Sequence, residues 1–456
     1  MVVFSKIKLY DINPLTANRL LRLLSYFVII AVLFLIWRIP DDNIVKYLPL
    51  YSFLGFQRVT IIIVIFTIFY SYQRNVNVLN FYGWKYFLFF ILGFIFSFTL
   101  GAINNTLFSH IVLSKYNNSL FFYSNLKGIF LFVTIIVFFR ERLFFHRFVN
   151  TLIYVAVFFI IASYFNFADY LLNIFGILKY EVAYETFIGI TKSRFTFPSM
   201  DNNTFGGFLS GIFILTLYCA YKYNSSYKKF FYTIVSVFLT LIVFLGLGRA
   251  NFLKIIISLI IFFTSLYGFK KKYIYYLIFV VLVIIFFLYT DAGFISWSRW
   301  QEIYYNIIPL IQGKSRFMVI DNFTWRLLAA FYGLPSTFNG WLFGTGGIQT
   351  GYVIGIDSAS HIEYANWISQ YGLITFIPLI LFQFTLLKYF LKIKMNFIKY
   401  ELHLLRSTGL ALIVGSVIES LNSPLFINLW FWLAIISVIA IMTQRYINDI
   451  PAKLNN

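Results

Sequence analysis

The sequence predicts an all-α polytopic membrane protein with about 12 transmembrane helices and a large outer loop that carries short helices. Three observations predict it. Hydrophobic residues make up 61% of the 456 residues and charged residues 11%, with a mean hydropathy of +0.82. Soluble domains hold about 25% charged residues. The apolar residues fall in runs of roughly 20, the length of a spanning helix. The basic residues collect between alternate runs, as in a chain threaded back and forth with its cations on one side.

Taken in order, apolar runs and charged punctuation place spans at 22–39, 50–72, 82–103, 120–139, 143–165, 204–221, 230–247, 252–268, 273–290, 362–387, 404–420 and 427–443. Gln57 and Arg58 interrupt the second run. A short interfacial helix followed by a shorter span is the alternative there. The first 20 residues are mixed polar, so no cleavable leader is expected and the first span stays as a helix. With the N-terminus cytoplasmic, the cytoplasmic segments hold 22 of the 36 basic residues and four of the 16 acidic ones, +18 of the net +20. The remaining 14 basic and 12 acidic residues nearly balance. The positive-inside rule therefore accounts for the basic excess without nucleic acid, and both termini are expected to be cytoplasmic.

One integral domain, 1–456, is expected, with membrane lipids as its surroundings. The lone Cys219 lies in an apolar run, which excludes a disulfide and a cysteine metal site. The four histidines are too scattered for a metal cluster, and no glycine-rich nucleotide loop is present. Two outer segments exceed ordinary connectors, 166–203 and 291–361. The second is rich in aromatic residues, among them Trp297, Trp300, Trp325 and Trp341, which argues for order. Short amphipathic helices are expected at 300–311, 322–334 and 169–180, with Gly344, Gly346, Gly347 and Gly351 in a turn-rich return.

Four basic or protonatable groups on the outer side stand out. Arg326 lies in Thr-Trp-Arg-Leu-Leu-Ala-Ala-Phe-Tyr (324–332), and Arg249 in a hairpin of a few residues, Leu-Gly-Leu-Gly-Arg-Ala-Asn (245–251). Guanidinium groups bind phosphate through paired hydrogen bonds and stay charged. Basic residues are disfavoured on that side, so their presence calls for a reason; snorkelling or a structural ion pair is the alternative. Arg194 precedes Phe-Pro-Ser-Met-Asp-Asn-Asn (197–203), which ends in Asn202 and Asn203. His361 lies in Ser-Ala-Ser-His-Ile-Glu-Tyr-Ala-Asn-Trp (358–367), with Glu363 and Asn366 following. Either His361 or Glu363 can accept a proton near neutral pH, but their i, i+2 spacing puts at most one of them towards a site. His110, His146 and His403 carry weaker signals, and Asp41-Asp42 reads as a turn after Pro40.

These residues, in this order, resemble the O-antigen polymerase (Wzy-type) and O-antigen ligase superfamily of bacterial inner membranes. Four stretches carry the resemblance. Residues 194–207 are similar to the family's arginine, Asn-containing turn and small-residue helix start. Residues 245–253 resemble its Ser-Arg-Gly/Ala hairpin, with Gly248 where serine is usual. Trp325-Arg326 followed by Trp-Leu-Phe-Gly-Thr-Gly-Gly (341–347) resembles its arginine-bearing outer helix and glycine return. Residues 361–372, with Asn366 and Gln-Tyr-Gly (370–372), are similar to its entry to the next span. The match covers roughly 190–390.

The resemblance implies metal-independent glycosyl transfer on the periplasmic face of the inner membrane, without a cofactor. Donor and acceptor would be glycans on undecaprenyl pyrophosphate. Arg249 and Arg326 would clamp the pyrophosphate, His361 or Glu363 would accept the acceptor proton, and direct displacement would invert the anomeric centre. Arg194, Asn202, Asn203, Trp325 and Asn366 would bind substrate. A polymerase, with a chain-length regulator as partner, is preferred to a ligase that transfers glycan to lipid A core. The Phe-, Ile-, Asn- and Lys-rich composition points to a strongly AT-biased gene, as in exchanged polysaccharide clusters, and the chain is slightly long for a ligase. From another class, a lipid-linked oligosaccharide flippase would share the span count, but would carry charges deep within its spans and short outer loops; this chain shows nearly the reverse, with Arg58 and Glu419 as the exceptions.

Overall fold

In the computed structural model, residues 65, 67, 68, 80–107, 118–140, 142–164, 184–187, 190–193, 202–245, 249–268, 340–344, 363–393, 400–420 and 426–454 are described. They form helices, apart from one two-stranded hairpin. In chain order these are α1 (Trp84–Leu107), α2 (Asn118–Phe139), α3 (Arg142–Tyr164), β1 (Tyr184–Phe187), β2 (Ile190–Ser193), α4 (Asn202–Lys222), α5 (Ser226–Leu245) and α6 (Arg249–Tyr267). Then follow the one-turn α7 (Gly340–Phe343), α8 (Glu363–Tyr371), α9 (Leu373–Lys392), α10 (Tyr400–Ser420) and α11 (Phe426–Leu454). Phe and Ile dominate these segments, and neither is a strong helix former in water. In lipid the choice is forced, because only a helix satisfies every backbone group within its own segment.

Four helices are long and apolar enough to cross a membrane: Ser226–Val243, Leu373–Lys392, Tyr400–Ser420 and Leu429–Ile447. Shorter apolar helices cover Trp84–Leu100, Gly128–Phe139, Phe144–Phe158, Gly206–Lys222 and Asn251–Tyr267. Several present apolar stripes to the outside at helical spacing. On α1 these are Leu88, Phe89, Leu92, Ile95 and Phe96; on α9 they are Ile377, Leu381, Phe384 and Leu391. Stripes of that extent suit lipid and would be a liability in water. The chain is a helical membrane protein.

The helices overlay nine of the twelve expected spans. The first and ninth lie outside the described residues, as does the second save for 65, 67 and 68. One expectation is corrected. The tenth span, 362–387, is two helices, because Gly372 adopts a left-handed φ of 74° between α8 and α9. Pro378 then sits inside α9 and has no N–H for the carbonyl of Ile374. That carbonyl faces Gly93 of α1, where an added Cβ would lie 2.7 Å from it. The glycine lets α1 lie close against α9 at the carbonyl that the proline frees. An antiparallel hairpin that the sequence reading does not anticipate pairs Tyr184 with Ser193 and Phe187 with Ile190 within the outer segment 166–203, whose expected helix at 169–180 lies outside the described residues.

Short connectors make neighbours antiparallel, so α4 and α6, two reversals apart, run parallel. Cross-helix contacts define one end of the bundle. Arg142 of α3 pairs with Glu401 of α10, and Arg445 of α11 donates to the Arg140 carbonyl. Arg406 donates to the carbonyls of Phe390 and Ser265, and Asn150 of α3 to the Tyr223 hydroxyl just past α4. Lys85, Lys222, Lys228, Lys229, Lys388 and Lys392 also lie near this end, which makes it strongly basic. The core is aromatic. Phe87, Phe90, Phe132 and Trp367 surround Trp430 of α11, with ring centroids between 4.8 and 6.3 Å from it.

Candidate functional site

The opposite end of the bundle carries two of the helix starts that the sequence singles out: Asn202 and Asn203 open α4, and Arg249 opens α6. Glu363 opens α8 with Asn366 in its first turn, but α8 folds back along α9 at Gly372, so that Tyr364 reaches Phe376 and Gln383 and the start of α8 lies deeper in the bundle. Arg194, Trp325, Arg326 and His361 lie outside the described residues. The starts of α4 and α6 stand at one level. Gly206 lies against Asn251, where an added Cβ would be 2.5 Å from the Asn251 amide nitrogen. Asn203 is three residues and Arg249 two residues beyond that contact, roughly 3–5 Å further along the parallel axes at 1.5 Å per residue.

Below this level the three helices α4, α6 and α10 are joined by charge. Lys254 of α6 forms an ion pair with Glu419 of α10, their side chains 2% and 4% exposed. The Lys254 ammonium also donates to the Gly207 carbonyl of α4 at 2.9 Å and lies 5.5 Å from the Trp432 ring of α11. Gly207 makes the room, because a Cβ there would run into the Glu419 carboxylate. Asn251, one turn above Lys254, is buried as well. Sequence reasoning noted Glu419 as an in-span charge and passed over Lys254. A usable signal was present: each lies within a few residues of the outer end of its expected span, 252–268 and 404–420, at matching depth and with opposite sign.

A second cluster surrounds α8. Trp367, Gln370 and Tyr371 are buried, and Tyr364 donates to the Gln383 carboxamide oxygen at 2.8 Å. The Trp-Leu-Phe-Gly turn (341–344) docks here. Gly344 has a φ of 68° and fits against the backbone of Gln370, while Gly372 fits against the Leu342 carbonyl. The Ser97 hydroxyl of α1 donates to the Phe343 carbonyl. The described parts of two stretches that carry the sequence resemblance thus meet, 342–344 against 369–372, through left-handed glycines. The two clusters share α11. Trp430 packs towards α1, α2 and α8, whereas Trp432 packs towards Gly211 and Phe208 of α4.

Among the described residues no grouping of His, Cys, Asp and Glu could hold a metal ion. Compared with known proteins, the chain matches no protein-family model and no curated protein sequence.

Proposed function

We propose that this chain is an O-antigen polymerase of the bacterial inner membrane, with the basic end and both termini cytoplasmic. It would join undecaprenyl-pyrophosphate-linked repeat units at the opposite, periplasmic end. The observation that carries the reading is the convergence at that end of the helix starts at Asn202, Asn203 and Arg249. The four stretches of the resemblance supply the chemistry. An acceptor hydroxyl attacks the anomeric carbon of the donor, and His361 or Glu363 takes its proton. The bond to the pyrophosphate breaks, and undecaprenyl pyrophosphate leaves with its charge held by Arg249 and Arg326. Arg194, Asn202, Asn203, Trp325 and Asn366 hold substrate. No metal or cofactor enters the proposal, and a chain-length regulator would act as partner.

A flippase is the second reading, and the buried Lys254–Glu419 pair is the observation that favours it. The pair lies near helix ends rather than at mid-span, with Lys254 the sixth residue of α6 and Glu419 the penultimate residue of α10. That placement suits support of a site at the bundle's end better than a path through its middle.

Lipopolysaccharide banding in a deletion strain tests the assignment, with wild type, Arg249→Ala, Arg326→Ala and His361→Ala at matched expression. A core carrying one repeat unit and no ladder is the expected result for the deletion and the arginine variants. Bare core with accumulated lipid-linked polymer would mean a ligase, and a full ladder from every variant would refute the site.

A further inference from the structure

We infer that Lys254 and Glu419 are positioning residues: a buried ion pair that fixes the register of α4, α6 and α10 and thereby sets the helix start at Arg249. The inference rests on the glycosyl-transfer reading above. Charges at membrane depth are costly, and a buried pair seldom stabilises a bundle more than apolar side chains of the same size would. Its strength is selectivity. Lys254 reaches two partners on two different helices, Glu419 on α10 and the Gly207 carbonyl on α4.

Slipping α6 by one turn, about 5.4 Å, would strand both charges without a counter-ion in an apolar core. Only one register satisfies all three groups. Gly207 and Gly415 are cut to that register, since a Cβ at Gly207 would meet the Glu419 carboxylate and one at Gly415 would lie 3.1 Å from the Lys254 Cε. Arg249 stands five residues above Lys254, roughly 7.5 Å along the same helix. A group that must meet a phosphate on a developing leaving group is sensitive to displacements of about 1 Å. A pair that admits one register is suited to preventing them.

The test uses the full chain in lipid nanodiscs with lipid-linked repeat units as donor and acceptor. The double variant Lys254→Met/Glu419→Gln removes both charges and keeps their bulk, and Lys254→Arg keeps the cation. The double variant is expected to unfold within a few degrees of wild type, to lose about 10-fold or more in kcat, and to change KM less than about twofold. Lys254→Arg is expected to keep more activity than the double variant. Wild-type turnover by the double variant would overturn the inference. So would a loss of activity that only follows a loss of thermal stability, which would make the pair merely structural.

If the wild-type chain transfers no sugar, the glycosyl-transfer reading falls by itself, and a second measurement decides on the pair. Cys219 is the only cysteine, so an Arg249→Cys/Cys219→Ala chain has a single label position. Its rate of reaction with a water-soluble maleimide is expected to change several-fold when the pair is neutralised. An unchanged rate would overturn the positioning role.

Discussion

Replacing Gly207 with alanine adds one methyl group where α4 passes the carboxylate of Glu419. The added carbon would lie 2.8 Å from Glu419 Cδ, with Oε1 nearer still, whereas ordinary contact begins at 3.4 Å. The side chain cannot simply swing away, because its other oxygen is held by Lys254. Either the helices separate by more than half an ångström or the ion pair breaks. Overpacking costs about 1–3 kcal/mol, and stranding one member of a buried pair costs about 3–5 kcal/mol. The cheaper route prevails, so the steric cost is about 1–3 kcal/mol. Alanine returns about 1 kcal/mol of helix propensity. The net expectation is a destabilisation of about 1 kcal/mol, against a gain of similar size at an unhindered helical glycine. Glu419→Asp removes one methylene and should relieve the clash, so Gly207→Ala/Glu419→Asp should be more stable than the sum of the single effects by at least about 1 kcal/mol. Thermal unfolding in nanodiscs, followed by tryptophan fluorescence, measures all three variants. A stabilised Gly207→Ala, or strict additivity in the double variant, would refute the reasoning.

Three further perturbations probe separate parts of the bundle. Trp430→Ala removes a fully buried ring from among Phe87, Phe90, Phe132 and Trp367; a loss near the lower end of the 3–5 kcal/mol seen for such changes in water is expected, because lipid already solvates apolar groups. A loss below about 1 kcal/mol in the same unfolding assay would contradict that packing. Gly372→Ala should cost more than Gly372→Asn, since asparagine tolerates the left-handed φ of 74° better and both side chains meet the Leu342 carbonyl; equal midpoints would count against this account. Arg142→Ala should cost less than about 1 kcal/mol, because the arginine of the Arg142–Glu401 pair is 52% exposed, and a larger loss that persists in high salt would show the pair to be better shielded than its exposure implies.

The described helices were legible because a bilayer reduces the folding code to length and polarity. Runs of Phe, Ile and Leu about 20 residues long have only one way to satisfy their backbone. Breaks within a run are harder to read. Gly372 looks like any glycine in an apolar helix until the turn at 341–344 packs on it, a contact between segments far apart in sequence. The hairpin was legible in part, with Tyr184, Thr186, Phe187 and Ile188 before Gly189 and Ile190 and Thr191 after it, a β-branched and aromatic pattern that an apolar-run reading does not register. For the site, sequence marked the helix starts at Asn202, Arg249 and Glu363, because polar groups stand out at the rim of apolar runs. It did not mark Lys254, since a lysine three residues inside a span reads as one that reaches back to the surface. Only the meeting of three helices reveals that it turns inward to Glu419.

The two tryptophans of α11 bear on how the protein is made. Trp430 fills the notch at Gly128 in α2, and Trp432 fills the one at Gly211 in α4. Both notches are synthesised long before the rings that occupy them, since α11 is the last of the described helices to emerge. Until then the α2 side and the α4 side each carry an open slot, with no shared surface of this kind to bind them. Among the described helices, α11 alone closes both slots. A nascent chain stalled before α11 would present two unfilled grooves to the machinery that inspects unfinished membrane proteins.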